Sequence, residues 1–402
     1  MITFQYTAKN DQGGTTHGLV EAETEGAAAK LLVSKGLTPI DITIQQQGSR
    51  ALGRFTNRVR TKDRIVLTRQ LATLLNAGLP LTQSLHTVAE QTDSKQLAVI
   101  LNKVIASVEG GVTLSEALSK HPKVFNEVYI ALVAAGETSG TLDQSLERIA
   151  DQQEKDADMI SKVRGALVYP VIVTVVIMAV VVFLLTTVVP QIELLYKDFN
   201  KELPFLTSIM ISFANFIIGY WWLILAFLIG GGYFMYRWFQ TKAGTIVADR
   251  IKMKIPLFGD LFVKLYMARF SRTGQTLTSS GVQMLEMLRI TARAVDNVHV
   301  ASAIGRAAEK VKGGKALSDS LKEETVFLSL VPQMLRVGEQ SGAVDKMMGK
   351  SATYYETELD NKIKTISTTI EPILMVFLAI VVGGIVLAIL VPVYNLASES
   401  LG

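Results

Sequence analysis

Three long stretches without a charged residue constrain this chain more than any other feature. They cover residues 165–192, 203–236 and 372–398 and consist mostly of Val, Ile, Leu, Phe and Trp. An apolar helix of about 20 residues crosses the hydrocarbon core of a bilayer, whereas shorter apolar runs are typical of buried helices in soluble proteins. We therefore predict a membrane protein with three transmembrane helices, at residues 165–192, 207–236 and 370–396, the first two joined by an outer loop at 193–206.

Basic residues near the ends of the spans predict their orientation. Lys and Arg in short flanking segments are retained in the cytoplasm. They precede span one, follow span two and precede span three, at positions that include Lys162, Arg164, Arg237, Arg250, Lys362 and Lys364. The segment 193–206 instead balances its basic residues with acidic ones. We expect a cytoplasmic N-terminus and an external C-terminus.

The chain contains an internal duplication. Arg69 and Gly78 match Arg272 and Gly281, which places the second copy 203 positions after the first, and beyond residue 125 the offset becomes 202. Matches at the second offset pair Gly136-Glu137, Ser139-Gly140, Glu154, Pro170 and Pro190 with Gly338-Glu339, Ser341-Gly342, Glu356, Pro372 and Pro392. A repeat at one fixed period indicates a repeated structural unit. Each module would be a cytoplasmic domain that runs into a membrane span, and span two would return the chain to the cytoplasm.

The pattern of apolar residues within each module is helical. Leu67, Leu71 and Leu74 illustrate the three-four spacing, and glycines such as Gly78 separate the periodic segments. Short helices joined by tight turns indicate helical bundles. We predict bundle 1 at residues 61–164 and bundle 2 at residues 264–366, so the fold class is a mainly α membrane protein.

The first residues follow a different pattern. Alternation over 3–7 and 16–22, a turn cluster at 10–14, a helical segment at 25–35 and a last alternating run at 39–44 predict a β-β-α-β unit. We expect a small α+β domain over residues 1–48, followed by a linker at 49–60. No basic region followed by an apolar core precedes it, so we expect no cleaved signal peptide.

Composition and motifs argue against catalysis. The chain has no cysteine and only four scattered histidines, which leaves no thiolate or histidine-rich metal site. Gly349-Lys350-Ser351 resembles the end of a phosphate-binding loop, but that motif needs a glycine where this chain has Val344. We expect no catalytic residue, no cofactor and no metal.

One local motif occurs in both modules. It has the form Gly-Glu-x-Ser-Gly, at 136–140 and 338–342. We interpret it as a helix-loop-helix corner in which the first glycine (Gly136, Gly338) ends one helix and the serine (Ser139, Ser341) caps the next. The alternative places the glutamate (Glu137, Glu339) on an exposed corner that contacts a partner.

A pair of carboxylates also occurs twice, as Glu154 with Asp158 and as Glu356 with Asp360. Like charges four residues apart on a helix repel each other unless something compensates them. A bound cation or a basic partner could compensate, or the carboxylates could lie on a solvated face near Lys155 or Lys362.

The entries to the first and third spans carry Tyr169-Pro170 and Glu371-Pro372. A proline near a helix start costs little, or it separates a cytoplasmic helix from a membrane helix. Glu371 is a paired or interfacial residue, or a functional one. The spans carry no charge at mid-membrane, which disfavours a polytopic transporter or membrane enzyme, the competing function.

The whole arrangement resembles the type II secretion F and type IV pilus assembly platform proteins. The resemblance rests on Phe4-Gln5-Tyr6-Thr7-Ala8, on Ala77-Gly78-Leu79-Pro80-Leu81, on Glu109-Gly110-Gly111, and on the repeated glutamate-serine motif and Tyr169-Pro170 with Glu371-Pro372.

That resemblance implies a scaffold protein of the bacterial inner membrane that catalyses no reaction of its own. The loop at 193–206 would lie in the periplasm. Its expected partners are a cytoplasmic hexameric ATPase, pilins or pseudopilins, other inner-membrane assembly proteins, the lipid bilayer and further copies of itself in a homo-oligomer, with no direct contact to nucleic acid. The ATPase would drive the assembly or extrusion of pilin or pseudopilin subunits through this platform.

Overall fold

The computed structural model describes residues 2–9, 15–22, 25–34, 36–44, 59–198, 205–256 and 258–400. The chain divides into two compact units, Met1–Val59 and Arg60–Gly402, which we describe separately. The predicted turn at 10–14, most of the predicted linker and the middle of the predicted outer loop lie outside the described residues.

The N-terminal unit is a small α+β domain, as predicted. Its elements are β1 (Ile2–Lys9), β2 (Thr15–Ala22), α1 (Glu25–Ser34) and β3 (Thr38–Ile44). The strands form an antiparallel sheet in the order β2-β1-β3, with an irregularity between Thr7 and Ala8. Ala28 and Leu32, one turn apart on α1, are buried together with Val20 and Ala22 of β2. The alternating strand pattern and the apolar face of α1 thus form one core.

Module 1 is a helical bundle that continues into the first span. Its helices are α2 (Thr61–Asn76), α3 (Leu81–Gln91), α4 (Lys95–Glu109), α5 (Leu114–Ser119), α6 (Glu127–Ser139) and α7 (Leu142–Asp198). Gly78 and Gly111 follow two of these helices with φ of 84° and 88°, a backbone conformation that side chains with Cβ disfavour. Ser94, Thr113 and Asn126 accept backbone N–H groups at the starts of α4, α5 and α6.

Module 2 repeats this architecture. After the return helix α8 (Phe205–Phe239) and α9 (Lys242–Lys254) come α10 (Gly259–Ser279), α11 (Met284–Ala294), α12 (Val298–Lys312), α13 (Leu317–Lys322), α14 (Leu330–Ser341) and α15 (Val344–Ser400). Helices α11, α12, α13 and α15 begin and end at the residues equivalent to those of α3, α4, α5 and α7. Within the described ranges no helix before α2 is equivalent to α9, which packs on module 2 through the buried Asp249; this carboxylate accepts the backbone N–H of Val298 at 3.0 Å.

Aromatic side chains lie at the centre of both bundles. Phe125 packs on Tyr129 in module 1, with ring centroids 5.0 Å apart, and the equivalent Phe327 packs on Phe270 in module 2 at the same separation. Tyr129, Phe125 and Phe270 are almost completely buried. Each such side chain contributes roughly 1.5–3 kcal/mol through removal of apolar surface from water.

Three of the described helices are long and apolar enough to cross a membrane, over Leu142–Val188, Ile211–Phe239 and Val344–Leu387. Helices α7 and α15 each run for 57 residues from the bundle into the span. Pro170 lies inside α7 and Pro372 lies inside α15, so of the two alternatives the one in which these prolines separate a cytoplasmic helix from a membrane helix is wrong. A proline removes one backbone hydrogen bond, which a long helix tolerates. The return helix α8 departs from helical geometry at Tyr220, where φ is −116° and ψ is 16°.

Candidate functional site

The repeated glutamate-serine motif forms the corner between α6 and α7 and the equivalent corner between α14 and α15. The helices end at Ser139 and Ser341, each followed by a glycine in the left-handed conformation: φ is 72° at Gly140 and 68° at Gly342. The prediction that Gly136 and Gly338 end their helices is therefore wrong. The second glycine of the motif is the one that a left-handed helix cap requires.

The first glycine of the motif permits close packing instead. A Cβ atom at Gly136 would lie 2.5 Å from Oγ of Ser145 and 3.0 Å from Cα of Leu142. A Cβ atom at Gly338 would lie 2.8 Å from Cα of Val344. Because these distances are shorter than van der Waals contact, a glycine at this position lets the following long helix begin directly against the preceding one.

The serine of the motif bonds backwards along its own helix. The hydroxyl of Ser139 donates to the carbonyl oxygen of Ala135 at 2.8 Å, and that of Ser341 donates to the carbonyl oxygen of Val337 at 2.7 Å. The prediction that these serines cap the next helix is wrong. A serine hydroxyl near a helix end commonly donates to the carbonyl oxygen four residues earlier in its own helix, which then accepts a second hydrogen bond.

The glutamate of the motif caps another helix of the same module. The carboxylate of Glu137 accepts the backbone N–H groups of Leu114 and Ser115, at 2.5 and 3.0 Å, at the start of α5. Glu339 accepts the N–H of Leu317 at 2.7 Å and the hydroxyl of Ser318 at 2.5 Å. A carboxylate at a helix N-terminus also interacts favourably with the helix dipole. Both glutamates are half-buried, so the exposed corner that the alternative interpretation requires is not observed.

An arginine of the same module compensates each acidic pair. Glu154 accepts two hydrogen bonds from the guanidinium of Arg69, at 2.9 and 2.7 Å, and Glu356 accepts two from Arg272, at 2.8 and 2.7 Å. The Arg69 guanidinium lowers the pKa of Glu154. Such two-point pairs fix both side chains. Among the described residues, no group of three or more His, Cys, Asp or Glu side chains could hold a metal ion.

The second carboxylates of the two pairs meet at one lysine. Nζ of Lys162 lies 2.9 Å from Asp158 of its own helix and 3.0 Å from Asp360 of the other module. These hydrogen bonds raise the pKa of Lys162, with that to Asp158 the larger cause. Helices α7 and α15 are thus joined by equivalent aspartates around a single cation, just before both enter their apolar segments.

Further polar contacts join the two modules. Arg269 of α10 donates to Asp156 of α7 at 2.8 Å, and Gln152 donates to Thr273 at 3.0 Å. Arg148 also donates to the carbonyl oxygen of Ser279 at 2.7 Å, and Arg293 donates to the carboxylate of Glu127. This contact between the modules was not predicted from the sequence. The available signal was a loss of symmetry, because Arg269 and Arg293 replace Val66 and Glu90 of module 1.

An open cleft lies where the modules meet, lined in part by Arg64, Asp156 and Arg269. Burial lowers the pKa of Arg64, which donates to Gln153 at 3.0 Å and to the carbonyl oxygen of Val124 at 2.9 Å. The hydrogen bonds of Arg64 lie within module 1, whereas the pair between Arg269 and Asp156 joins the two modules at this cleft.

The structure places the residues at the membrane entries on the long helices. Glu371 and Pro372 are exposed on α15, and Pro170 is half-buried on α7. The carbonyl oxygen of Pro170 accepts the hydroxyl of Thr174 at 2.7 Å. These residues lie apart from the glutamate-serine corners in the chain and share no hydrogen bond with them among the described residues.

The fold defines a class: a multi-pass membrane protein in which a helical bundle joined directly to a membrane span occurs twice, preceded by a small α+β domain. The family model for type II secretion system (T2SS) protein F matches the chain twice, over residues 67–190 and 270–392. The model for the N-terminal domain of type II secretion system protein F matches residues 1–43. The chain belongs to this family.

Curated relatives cover nearly the whole chain. A type IV pilus assembly protein PilC of Thermus thermophilus is 39% identical over 401 residues, which are 98% of this chain and 98% of the relative. A PilC of Myxococcus xanthus is 37% identical, with 98% and 95% coverage. A type II secretion system protein F of Pseudomonas aeruginosa is 34% identical, with 98% and 99% coverage. The resemblance inferred from the motifs is confirmed.

Proposed function

We propose that this protein is the inner-membrane platform of a type IV pilus or type II secretion machine. It couples a cytoplasmic hexameric ATPase to the assembly or extrusion of pilin or pseudopilin subunits, and it has no catalytic activity of its own. The observation that carries the proposal is the continuity of α7 and α15 from bundle to span. The printed names of the relatives, which refer to pilus assembly and to type II secretion, support it.

A continuous helix is a suitable element for transmitting movement. At about 1.5 Å per residue, a helix of 57 residues is about 85 Å long. The glutamate-serine corner fixes its start to the rest of the bundle through Gly136 and Glu137. A displacement imposed on the bundle therefore reaches the membrane segment without passing through a loop, and the Lys162 contact makes both long helices move together.

The proposal includes an orientation, with the N-terminus and both bundles in the cytoplasm and the C-terminus in the periplasm. The basic residues that flank the spans support it. An alkaline phosphatase fused after Gly402 is expected to be active, since this enzyme requires export, and the same reporter fused after Arg250 is expected to be inactive. Activity of the second fusion, or inactivity of the first, would contradict the orientation.

Helix continuity is tested by insertion. A Gly-Ser-Gly-Ser insertion after Gly165, and the equivalent one after Ser367, separates a bundle from its span. We expect both variants to insert in the membrane and to bind the ATPase but to lose assembly or secretion. The matched control is the same insertion after Arg50, in the predicted linker, and it should retain function. Full function of the two helix insertions would refute coupling through the helices.

The remaining partners of the platform are pilins or pseudopilins, other inner-membrane assembly proteins, lipids and further copies of this chain, without direct contact to nucleic acid. We assign Glu137, Glu339, Glu154 and Glu356 to the construction of the modules, because each carboxylate is bonded within its own module. The exposed Glu371 is the residue of the candidate set available to a membrane partner.

A further inference from the structure

Apart from the Lys162 contact, where the equivalent helices α7 and α15 meet near the membrane, the polar contacts between the two modules are head-to-tail. Module 2 contributes α10 and α11, with Arg269, Thr273 and Arg293, and we call this its leading face. Module 1 contributes α6 and α7, with Glu127, Gln152 and Asp156, which we call its trailing face. A two-fold contact would also join the leading face of module 1 to the trailing face of module 2. Within the described ranges, no ion pair or side-chain hydrogen bond joins α2 or α3 to α14 or α15.

A head-to-tail contact between two copies leaves one face of each copy uncovered. The leading face of module 1 carries Val66 at the position of Arg269, and 45% of this valine is exposed. The trailing face of module 2 carries Tyr354 at the position of Gln152, and 50% of this tyrosine is exposed. Val66 and Tyr354 are thus exposed at positions whose equivalents, Arg269 and Gln152, take part in the contact within the chain.

The membrane restricts how further modules can be added. Spans one and three cross in the same direction, because a single span separates them. The operation that relates module 1 to module 2 is therefore close to a rotation about the membrane normal. Repeating such a rotation keeps all modules in one plane, where a head-to-tail contact closes into a ring when the rotation angle divides a full turn.

We propose that a second copy of this chain docks the leading face of its module 1 on the trailing face of module 2. This inference gives the homo-oligomer of the proposed function a specific interface. The equivalent positions of the two modules give the contacts expected between chains. Gln70 of one chain would lie against Tyr354 of the other, as Thr273 lies against Gln152 within a chain. Glu90 would lie against the hydroxyl of Ser329, as Arg293 lies against Glu127. Lys350 takes the place of Arg148, next to the end of α2.

The charges on the two free faces are compatible with this contact. Glu90 lies opposite a neutral residue, and Lys350 is exposed and has no ion pair among the described residues. Glu358, which takes the place of Asp156, lies opposite Val66 and already pairs with Lys264 at 2.9 Å. The contact between chains is thus less charged than the contact within a chain, and it gains the apolar surface of Val66 and Tyr354.

Cross-linking tests the interface directly, because the natural chain has no cysteine. We would introduce Gln70→Cys with Tyr354→Cys in the full chain and treat membranes with a short bismaleimide. The positive control is Gln152→Cys with Thr273→Cys, which should cross-link within one chain. The matched negative control is Val99→Cys with Tyr354→Cys, since Val99 is 55% exposed but lies on α4, away from the leading face.

We expect products of two or more chain masses from the first variant and none from the negative control. Adding Val66→Glu places a second carboxylate opposite Glu358. Repulsion between the two carboxylates should weaken the contact and reduce the amount of cross-linked product about tenfold. A native oligomer without this cross-link would overturn the interface while leaving the proposed function intact. A monomeric protein of full assembly activity would overturn both the interface and the homo-oligomer.

Discussion

The equivalent ion pairs Arg69–Glu154 and Arg272–Glu356 differ in burial. We therefore expect replacement of the arginine to lower the unfolding free energies of the two modules by different amounts. Arg272 and Glu356 have only 13% and 19% of their side chains exposed, whereas Arg69 and Glu154 have 35% and 45% exposed. Breaking a buried pair leaves a charge without compensation and costs about 3–5 kcal/mol, while exposed pairs contribute about 0–1 kcal/mol. For the partly buried pair we therefore expect Arg272→Met to lower the unfolding free energy of module 2 by about 2 kcal/mol. Arg69→Met should lower that of module 1 by less than about 1 kcal/mol.

Thiol labelling can measure these differences in the full chain. Ala303→Cys and Ala117→Cys place a thiol at fully buried positions of modules 2 and 1, and no native cysteine competes. When closing is faster than labelling, the labelling rate follows the population of the opened module. A loss of about 2 kcal/mol accelerates labelling about 30-fold, and a loss below about 1 kcal/mol accelerates it less than about fivefold.

The double variant Arg272→Met with Glu356→Leu separates the cost of an unpaired carboxylate from the value of the pair. Replacing both partners removes the uncompensated charge, so labelling should return to within about fivefold of the parent rate. Equal acceleration by Arg272→Met and Arg69→Met would refute the role assigned to burial. An undiminished effect in the double variant would show that packing of the arginine stem, rather than charge, is responsible.

Three further predictions concern the corner, the core and the membrane entry. Gly136→Ala should destabilise module 1 by about 1–3 kcal/mol in the same labelling assay, because its Cβ would meet Ser145; Gly305→Ala, in open space on α12, should instead be stabilising by up to about 1 kcal/mol. Burial raises the pKa of Tyr129 from 10.0 to about 12, so the stability that its neutral form contributes is complete below pH 10 and is lost as the pH rises through about 12. In a spectrophotometric titration of the phenol groups, the absorbance step that Tyr129→Phe removes should therefore lie near pH 12. A step near pH 10 would contradict this prediction. Glu371→Gln should leave membrane insertion and labelling rates unchanged but lower assembly, and unaltered assembly would remove Glu371 from the candidate contacts.

The sequence contained enough to predict the repeat and most of its helices. A fixed offset of 203 positions aligned α3, α4 and α5 with their copies, since the glycines before α3 and between α4 and α5 occur in both modules. Helix α9 was not predicted, because it has no copy and lies between span two and the first repeated residue. The start of bundle 2 was predicted at residue 264, inside a helix that begins at Gly259.

Contacts between residues distant in sequence account for most of what was missed at the site. The pattern around Glu154 shows a repulsive neighbour at Asp158, but Arg69, which pairs with it, is 85 residues away. Both residues recur at the equivalent positions of the second module. A basic and an acidic residue that are repeated together could therefore have indicated an ion pair. The serine of the corner was assigned to the wrong helix because a hydroxyl between two helices can satisfy either one, and only the left-handed Gly140 decides which helix ends there.

The return helix α8 has a consequence for how strong the contact between the modules has to be. That contact includes hydrogen bonds and ion pairs between partly exposed side chains, and an exposed ion pair contributes only about 0–1 kcal/mol. Because α8 keeps both modules in one chain, each module experiences the other at an effective concentration on the order of millimolar. The contact can therefore be populated even though its exposed ion pairs contribute little individually, and the modules stay together in one chain if it opens.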